Sequence, residues 1–369
     1  MTATGVIAPQ PKATSVAKRV LGGVRKGARK VAEAIATPLL PEDFLDLISP
    51  LASGAELRGR VLAVRSEGPH ATTIAIKPGR GWRPHSAGQY VRIGFDVDGV
   101  RLWRAYSLTS PVGGDTITVT VRAIPDGKVS NFVRGLAPGT ILHLDQAAGS
   151  FTLPHPTPPA VLFLTAGSGI TPVMGMLRNS PLPADVALVH SAPSAAEALF
   201  LPELRSLQAA GHLRLTSRFT GVEGILTPAH LDDVVPDWRT RDTWACGPAG
   251  MLDDAEAHWA AEGLAHRLHT ERFRAAVTVV GDGGTVTFDG PGVSVAAGAG
   301  TTILDAGEDA GVLLPSGCRM GICFNCVLPL TEGSVRDLRT GEVTTADPQD
   351  PVLVQTCVSA AAGPCHLTV

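Results

Sequence analysis

Short runs of β-branched and aromatic side chains, separated by Gly, Pro and Asp turns, fill the chain from residue 56 to about residue 154. Runs of this length and composition are typical of β-strands. Six such runs at close spacing predict a small antiparallel β-barrel. The predicted strands are Arg60–Val64, Thr72–Lys77, Gln89–Phe95, Leu102–Leu108, Thr116–Val121 and Ile141–Asp145.

From residue 160 to residue 273 the pattern changes to apolar strands that alternate with helical segments. This alternation predicts an α/β domain, in which a parallel sheet carries helices on both faces. The predicted strands are Val161–Thr165, Val186–His190, Leu213–Ser217, Thr243–Cys246 and Arg267–Arg272. The predicted helices start at Pro172, run through Ala195–Ala210, and extend from Ala249 to Glu262.

The last part of the chain is predicted to begin with a hairpin, in which Val277–Val280 and Thr285–Phe288 flank a turn at 281–284. A cysteine-rich loop and a short final strand at Leu367–Val369 follow. The whole pattern therefore predicts a multidomain chain with four regions. These are an N-terminal extension at 1–55, the β-barrel at 56–155, the α/β domain at 156–273, and an α+β unit at 274–369.

The N-terminal extension contains a candidate amphipathic helix at residues 16–36. Apolar residues recur there at spacings of three and four, and Lys or Arg occupies most of the other positions. This pattern fits a basic helix that lies on a membrane surface, although Gly22, Gly23 and Gly27 weaken it. A solvated, partly disordered tail is the alternative interpretation.

Charge is distributed unevenly between the two ends of the chain. Residues 1–40 hold seven Lys or Arg against one Glu, whereas residues 274–369 hold four Arg against ten Asp or Glu. This contrast predicts different partners for the two ends, and the net charge of −3 gives no sign of nucleic-acid binding. The long uncharged stretch at 146–177 is interrupted by five prolines and four glycines, which argues against a membrane-spanning helix. We expect a cytoplasmic protein, with a possible peripheral position at the inner face of the cell membrane.

Four cysteines follow the pattern C-x4-C-x2-C with a fourth thiol thirty residues further on. This is the spacing by which plant-type ferredoxins hold two irons, whereas a structural zinc site more often uses two short C-x2-C pairs. The sequence therefore predicts a [2Fe–2S] centre, with Cys365 as a bystander. The predicted iron ligands are Cys318, Cys323, Cys326 and Cys357.

The end of the fourth predicted barrel strand carries the string Arg104-Ala105-Tyr106-Ser107. An Arg pairs with a diphosphate, a Tyr stacks on a flat ring, and a Ser forms a hydrogen bond with a ring nitrogen. A plain strand with Tyr106 packed inward is the alternative. A second string, Gly127-Lys128-Val129-Ser130, opens a predicted helix, where Ser130 and the first N–H groups could bind an anion.

Two turns of the α/β domain suggest a nucleotide site. After the first strand, Gly167 and Gly169 allow a tight turn close to a pyrophosphate, Thr171 suits the N-cap of the next helix, and Pro172 suits its first position. Another strand ends in Cys246, Gly247 and Pro248, again before a helix. Both turns would meet at the carboxyl edge of a parallel sheet, where nucleotides bind.

Taken in order, these motifs resemble those of the ferredoxin–NAD(P)+ reductase superfamily, in its three-module form with a C-terminal ferredoxin of the β-grasp type. The resemblance covers residues 56–369. It implies that Arg104 binds flavin phosphate, Tyr106 contacts the isoalloxazine ring, and Ser107 contacts flavin N5. It also implies FAD rather than FMN, from the form of residues 127–130.

The resemblance further implies the roles of the nucleotide and closing segments. It places Cys246 beside the nicotinamide, and Glu271 and Phe273 beside the flavin. Electrons would pass from NAD(P)H through FAD to the cluster and then to a separate acceptor protein. The residues implied in catalysis are Ser107, Cys246 and Glu271. Those it implies in cofactor binding are Arg104, Tyr106, Ser107, Gly127, Val129, Ser130, Phe273, Gly167, Gly169, Thr171, Pro172, Gly247 and Pro248. Ser217 and Arg218 are further candidates from the sequence itself, and the alternative is that Arg218 is an ordinary exposed loop residue.

The acceptor and the nucleotide are predicted on shorter segments. The stretch 39–51 is similar to reductases that serve membrane fatty-acid desaturases and alkane hydroxylases, so a membrane di-iron enzyme is the expected acceptor. A soluble Rieske oxygenase or a P450 is the alternative, and a non-enzymatic iron–sulfur sensor is an alternative of another class. NADPH is favoured over NADH because residues 190–194 carry no acid for a ribose hydroxyl, while Ser217 and Arg218 could bind a 2′-phosphate.

Overall fold

A computed structural model describes residues 51–52, 56–125, 127–179, 181–273, 282–321 and 323–369 of the chain. The described part forms three sheets in chain order, one antiparallel, one parallel and one mixed. The predicted N-terminal helix and the predicted strand Val277–Val280 lie outside these residues. No helix in the described ranges is both long and apolar enough to cross a membrane.

The first sheet is the predicted antiparallel barrel, with strand order β4-β3-β6-β1-β2-β5. A bridge between Leu108 and Val119 joins its two edge strands and closes it. Alternate side chains point into an apolar interior, and a short helix, α1 (Lys128–Phe132), packs Val129 against that interior. The strands are β1 (Arg58–Ser66), β2 (Ala71–Pro78), β3 (Tyr90–Val97), β4 (Val100–Ser107), β5 (Ile117–Arg122) and β6 (Ile141–Leu144).

The second sheet is parallel throughout, with strand order β11-β10-β7-β8-β9. Two separate buried clusters cover its two faces, so the predicted α/β arrangement is confirmed. Its strands are β7 (Ala160–Ala166), β8 (Asp185–Ala192), β9 (Arg214–Phe219), β10 (Asp242–Cys246) and β11 (Leu268–Glu271). Its helices are α2 (Ile170–Leu177), α3 (Leu201–Ala209), α4 (Thr220–Glu223), α5 (Leu231–Val234) and α6 (Ala249–Ala261).

The predicted helix through Ala195–Ala210 begins too early. The helix starts only at Leu201, and the residue before it, Phe200, adopts a left-handed conformation with φ of 58°. Phe200 is buried against the sheet, and its backbone N–H donates to Glu67 of the barrel at 3.2 Å. Pro202, in the first turn of the helix, and the tertiary contacts of Phe200 together fix the start of the helix at Leu201.

The third sheet is mixed, with strand order β13-β12-β17-β14-β15, and β16 also pairs with β14. Helix α7 (Ile303–Asp309) packs on it, and Thr302 caps the helix by accepting a hydrogen bond from the Asp305 backbone N–H. The strands are β12 (Gly284–Phe288), β13 (Val293–Ala297), β14 (Val327–Asp337), β15 (Val343–Ala346), β16 (Val352–Gln355) and β17 (Ser359–Leu367).

The strand at 284–288 forms a hairpin with β13, and the strand predicted at 277–280 lies outside the described residues. One prediction for this third sheet is corrected. The final strand begins at Ser359 rather than at Leu367, and it lies between β12 and β14. The first half of this central strand, 359–363, consists of small residues with little β-propensity, so the sequence does not predict it as a strand.

Candidate functional site

The last residues of β4 bring the predicted flavin motif to the open end of the barrel. Tyr106 is half-buried, with its ring edge-on to Phe95 at a centroid distance of 6.2 Å, and burial raises its pKa. Ser107 is buried, and its Oγ has no hydrogen-bond partner in the described part of the chain. Arg104 donates to the Trp103 carbonyl at 2.8 Å and pairs with Glu308 of the third sheet's helix at 3.3 Å.

The second predicted flavin string forms a tight turn into α1. A Cβ on Gly127 would lie 2.5 Å from Ile124 Cγ1, so a larger residue would require the Ile124 side chain to move. Ser130 Oγ accepts from the Ile124 N–H at 3.3 Å and donates to the Gly127 carbonyl at 3.2 Å, which holds the turn together. Val129 points into the barrel, so only its backbone faces outward. Binding of flavin by these residues stays a prediction.

At the carboxyl edge of the parallel sheet, residues that pair in register across neighbouring strands form one line, the register row. It contains two of the three predicted catalytic residues, Cys246 and Glu271. Cys246 on β10 pairs in register with Glu271 on β11 and with Thr165 on β7. The row continues from Thr165 to His190 and then to Ser217. Thr165 Oγ1 lies 2.9 Å from His190 Nδ1, and burial lowers the pKa of His190 to about 4, so its ring is neutral.

Glu271 is the carboxyl group of this row, and its pKa is strongly shifted. Burial raises its pKa to about 8, and its Oε2 is buried without a hydrogen-bond partner among the residues described. Burial also raises the pKa of Cys246 well above its ordinary value, with the Glu271 charge adding to the effect. Glu271 Oε2 and Ser107 Oγ are thus two unpartnered buried polar atoms at the predicted flavin site, which fits a polar ring system bound there. Phe273 follows two residues later and is 39% exposed, which suits ring stacking.

The two predicted nucleotide turns do approach each other. Gly167 has a φ of 55°, which favours glycine, and the turn Gly167–Gly169 leads directly into α2. A Cβ on Gly169 would lie 2.8 Å from Gly247 N and even closer to the Cys246 carbonyl. The two backbones therefore meet at the carboxyl edge, as expected from the sheet order, and Pro248 leads from there into α6.

One detail of the first turn is corrected. Thr171 is not the N-cap of α2, because the helix starts at Ile170 with Gly169 at the N-cap position. Thr171 Oγ1 donates to the Ser168 carbonyl at 2.9 Å, and Pro172 occupies the third helical position. The tight turn at 167–169 already winds as a 3₁₀ segment, so the chain enters the helix earlier than its capping residues suggest.

The residues predicted to select NADPH lie at the end of β9. Ser217 and Arg218 are both partly exposed. Arg218 Nε donates to the Gly224 carbonyl at 3.0 Å, and its Nη2 donates to the Glu223 carbonyl. These contacts hold the guanidinium against the short helix α4, near the last residue of the register row.

The four predicted iron ligands form two thiol pairs. The Cys323 thiol contacts Cys318, and the Cys326 thiol contacts Cys357. Two pairs suit a cluster of two irons, because each iron needs two thiolate ligands. In the described ranges no group of three or more His, Cys, Asp or Glu side chains is placed to hold a single metal ion.

Backbone donors and a nearby arginine favour the thiolate form in this loop. Burial alone would raise the pKa of Cys323, but N–H groups of the loop and Arg92 hold that pKa below its ordinary value. The contact with Cys357 lowers the pKa of Cys326 to about 6 and raises the pKa of Cys357. The backbone N–H groups of Cys318 and Met320 donate to sulfur at 3.2 and 3.3 Å.

Cys365 lies away from these pairs. It is fully buried in the core of the third sheet, on β17, and burial raises the pKa of its thiol to about 11. A thiol of this kind is a core side chain and stays protonated at neutral pH.

Three residues of the barrel lie at the site although no motif pointed to them. Arg92 Nη1 is 3.9 Å from Cys323 Sγ, and its guanidinium also pairs with Asp145. Tyr90 pairs in register with Ser107, and its phenol lies within electrostatic range of Cys318, Cys323 and Glu271. Arg122 has Nη1 3.0 Å from the position of a Cβ on Gly167. Arg92 and Arg122 contact groups of other sheets, and Tyr90 reaches Ser107 through strand pairing, so no local pattern could reveal these residues.

Comparisons with known proteins agree with this arrangement. Residues 84–153 match the model of the oxidoreductase FAD-binding domain, and residues 286–362 match that of the 2Fe-2S iron-sulfur cluster binding domain. The chain is 52% identical over 353 residues to the NADPH oxidoreductase of Mycobacterium tuberculosis, which covers 92% of each chain. It is 27% identical over 305 residues to the glycine betaine monooxygenase reductase subunit of Pseudomonas aeruginosa, covering 73% of this chain and 83% of that one.

Among solved structures, phthalate dioxygenase reductase superposes with a TM-score of 0.62 at 19% identity, covering 85% of this chain and 98% of that one. That match supports the three-module fold. Three observations agree with an enzyme that uses FAD, a [2Fe–2S] cluster and NAD(P)H. They are the order of the three sheets, the paired thiols and the two family matches. The chain therefore belongs to the ferredoxin–NAD(P)+ reductase superfamily, in its three-module form with a C-terminal plant-type ferredoxin.

Proposed function

We propose that this flavin reductase takes electrons from NADPH and delivers them, through FAD and the [2Fe–2S] cluster, to a partner oxygenase. The observation that carries the proposal is the contact between the thiol loop and the flavin end of the barrel. Arg92 lies 3.9 Å from Cys323 Sγ, and Tyr90 lies beside both the thiol loop and Ser107. Electrons need only a short path between the two sites.

The chain's own residues would prepare the hydride-transfer site. Bound FAD and cluster together supply the change from two-electron to one-electron chemistry. Ser107 Oγ is positioned to donate a hydrogen bond to a ring nitrogen. Glu271 holds a proton at neutral pH because of its raised pKa, so its carboxyl group can donate as well. Cys246 is fully buried, and its uncharged thiol would lie behind the edge where the nicotinamide would bind.

Other residues would bind the phosphates. Arg104 and Lys128 reach the flavin end of the barrel as cations, and the two turns at 167–169 and 246–248 offer backbone at the sheet edge. Arg122 adds a guanidinium directly beside Gly167. A pyrophosphate is matched by such a combination of close backbone and fixed positive charge.

For the nucleotide, the proposal is NADPH, with Arg218 at the 2′-phosphate. The name of the 52% identical relative, NADPH oxidoreductase, supports it. Arg218→Ala should raise the KM for NADPH by about tenfold and leave that for NADH unchanged, because one charged hydrogen-bonding group is lost. Arg214→Ala on the same strand is the control, since that side chain is 57% exposed and pairs with Asp185 and Asp237. An NADPH preference that survives Arg218→Ala would contradict the assignment.

For the acceptor, the proposal is an oxygenase, and within that class a membrane desaturase or hydroxylase. The monooxygenase reductase subunit among the relatives supports an oxygenase. The choice of a membrane enzyme within that class rests on the sequence alone. Six basic residues at 16–36 would each contribute about 1 kcal/mol to binding near an anionic membrane. The ten acids of residues 274–369 would direct that region toward a basic patch on the acceptor. A soluble Rieske oxygenase or P450 needs only the second feature.

The discriminating experiment compares the full-length chain with a variant that lacks residues 1–40. Anionic liposomes measure membrane binding, a reconstituted desaturase measures delivery of electrons, and cytochrome c reduction is the control for internal chemistry. The truncation should lose liposome binding and slow desaturation while cytochrome c reduction stays equal. Equal binding and equal desaturation would refute the membrane acceptor but leave the reductase chemistry intact.

A further inference from the structure

The C-terminal end of α7 carries a carboxylate that contacts both the flavin motif and the thiol loop. Glu308 pairs with Arg104 of the barrel at 3.3 Å and with Arg319 of the thiol loop. The side chain of Glu308 is only 12% exposed, against 22% for Arg104 and 19% for Arg319. One partly buried negative charge thus lies between two partly buried positive charges that belong to two different sheets.

A second contact strengthens the same junction. Lys128, from the other predicted flavin string, donates through Nζ to the backbone carbonyl of Glu308 at 3.2 Å. Arg104 and Lys128, the cations of the two predicted flavin strings, are therefore both in contact with a single residue of α7. The contact with Lys128 involves the backbone carbonyl, so it does not use the Glu308 carboxylate directly.

On the other side, Arg319 connects this junction to the cluster ligands. It directly follows Cys318, has a left-handed φ of 59°, and also pairs with Asp305 at 2.7 Å. A non-glycine residue keeps that conformation only when surrounding contacts hold it in place. The ion pairs of Arg319 with Asp305 and Glu308 are such contacts, so they fix the backbone that begins the thiol loop.

Without the Glu308 charge, the junction would become repulsive. Arg104 and Arg319 would then face each other as two like charges in a partly desolvated interface, where electrostatic effects are stronger than in water. Arg104 already shows the strain of this position: burial lowers its pKa, the Arg319 charge lowers it further, and only Glu308 and Tyr106 oppose that shift.

We propose that Glu308 is a positioning residue that docks the cluster-bearing region on the flavin motif and thereby sets the rate of electron transfer from flavin to cluster. This inference rests on the proposed electron path, and it adds a specific interface to that path. It predicts that hydride transfer to the flavin is independent of Glu308, because its side chain pairs with Arg104 and Arg319 and, among the described residues, not with the carboxyl edge of the parallel sheet.

The test uses the full chain with both cofactors bound, and compares Glu308→Gln with Asp309→Asn. Asp309 is the neighbouring exposed residue on α7 and forms no ion pair in the described structure, so the control removes the same charge without touching the junction. Stopped-flow absorbance after mixing with NADPH follows flavin reduction and then cluster reduction. In Glu308→Gln cluster reduction should slow by about tenfold or more, since loss of one partner of a buried charge pair shifts an interface by at least that factor.

Two further readouts separate docking from a general loss of structure. Hydrogen exchange should rise at 128–132 and 303–309 in Glu308→Gln but not in Asp309→Asn. Arg319→Gln should also slow cluster reduction, and the double variant should slow it by less than the product of the two single effects, because the Glu308–Arg319 pair is lost in both. Arg319→Gln also keeps the test decisive if Glu308→Gln loses a cofactor.

The outcomes divide clearly. Equal rates of cluster reduction in wild type and Glu308→Gln, with both cofactors bound, would overturn the proposal, and so would equal slowing in Asp309→Asn. If flavin reduction by NADPH failed in the wild-type chain, the proposed function would be wrong instead, which is a different result.

Discussion

Replacement of Gly169 by alanine should separate the two turns that form the nucleotide edge. The backbone of Gly169 has φ of −62° and ψ of −11°, which alanine adopts without strain. The obstacle is purely steric. The new Cβ would lie 2.8 Å from Gly247 N and closer still to the Cys246 carbonyl, and both are backbone atoms that cannot rotate away. Ordinary contact starts at 3.4 Å, so β7 and β10 would have to move apart at their ends.

The expected cost follows from that geometry. Overpacking in a closely packed interior costs about 1–3 kcal/mol, and contact with fixed backbone puts this change at the upper end of the range. Gly250, in the first turn of α6, is the matched control because a Cβ there meets no atom within 4 Å. Alanine in a helix should stabilise by about 0.5–1 kcal/mol relative to glycine, so the two substitutions have opposite signs.

Thermal unfolding and nucleotide affinity together measure the effect. Three buried tryptophans, Trp238, Trp244 and Trp259, report on the parallel sheet through their fluorescence. A loss of about 3 kcal/mol corresponds to a fall in Tm of roughly 10 °C for a domain of this size. Gly169→Ala should show that fall together with weaker NADPH binding, while FAD and cluster absorbance stay unchanged. A Tm and a KM for NADPH equal to those of the wild type would refute the steric argument.

Three shorter predictions concern other parts of the site. Cys323→Ser should abolish the absorbance of the cluster but leave flavin reduction by NADPH intact; stoichiometric zinc and no acid-labile sulfide in the wild-type protein would contradict the ligand assignment. Arg122→Gln should raise the KM for NADPH by about tenfold with little change in kcat, because the guanidinium beside Gly167 would contribute uniform binding; an unchanged KM would exclude that role. The folded chain keeps the Glu271 proton up to a pKa of about 8, whereas the unfolded chain releases it near 4.5, so stability should fall between these pH values by up to about 1.4 kcal/mol per pH unit. Glu271→Gln should flatten that dependence in denaturation curves taken at pH 5 and pH 8.5, and a slope equal to that of the wild type would show that Glu271 is not the titrating group.

Local patterns were sufficient for most of the fold. Each of the six barrel strands appears within a few residues of its predicted bounds, because turn residues and alternating side chains are properties of short segments. The cysteine spacing likewise predicted that the thiols of Cys318, Cys323, Cys326 and Cys357 lie together. Four ligands of one cluster must be close in space, so their spacing in the sequence is a local signal. The first turn of α2 was misread at Thr171, where two good capping residues lay beyond the actual start of the helix.

Contacts between sheets could not be read in this way. Arg104 was predicted to bind phosphate, which its position permits, but nothing local indicated that Glu308, two hundred residues away, would pair with it. The same holds for Arg92 beside Cys323 and for Arg122 beside Gly167. Such pairs depend on how whole sheets pack, and a single sequence carries no periodic signal for that packing.

The central position of β17 has a consequence for how the protein is made. This strand joins β12, formed by residues 284–288, to β14, so the third sheet stays in separate pieces until residues 359–367 have been synthesised. Cys357 also emerges late, just before that strand. On a ribosome that adds residues one after another, the barrel and the parallel sheet can fold while the chain grows. A cluster that needs all four thiols can form only after Cys357 has been synthesised, when the barrel and the parallel sheet can already have folded.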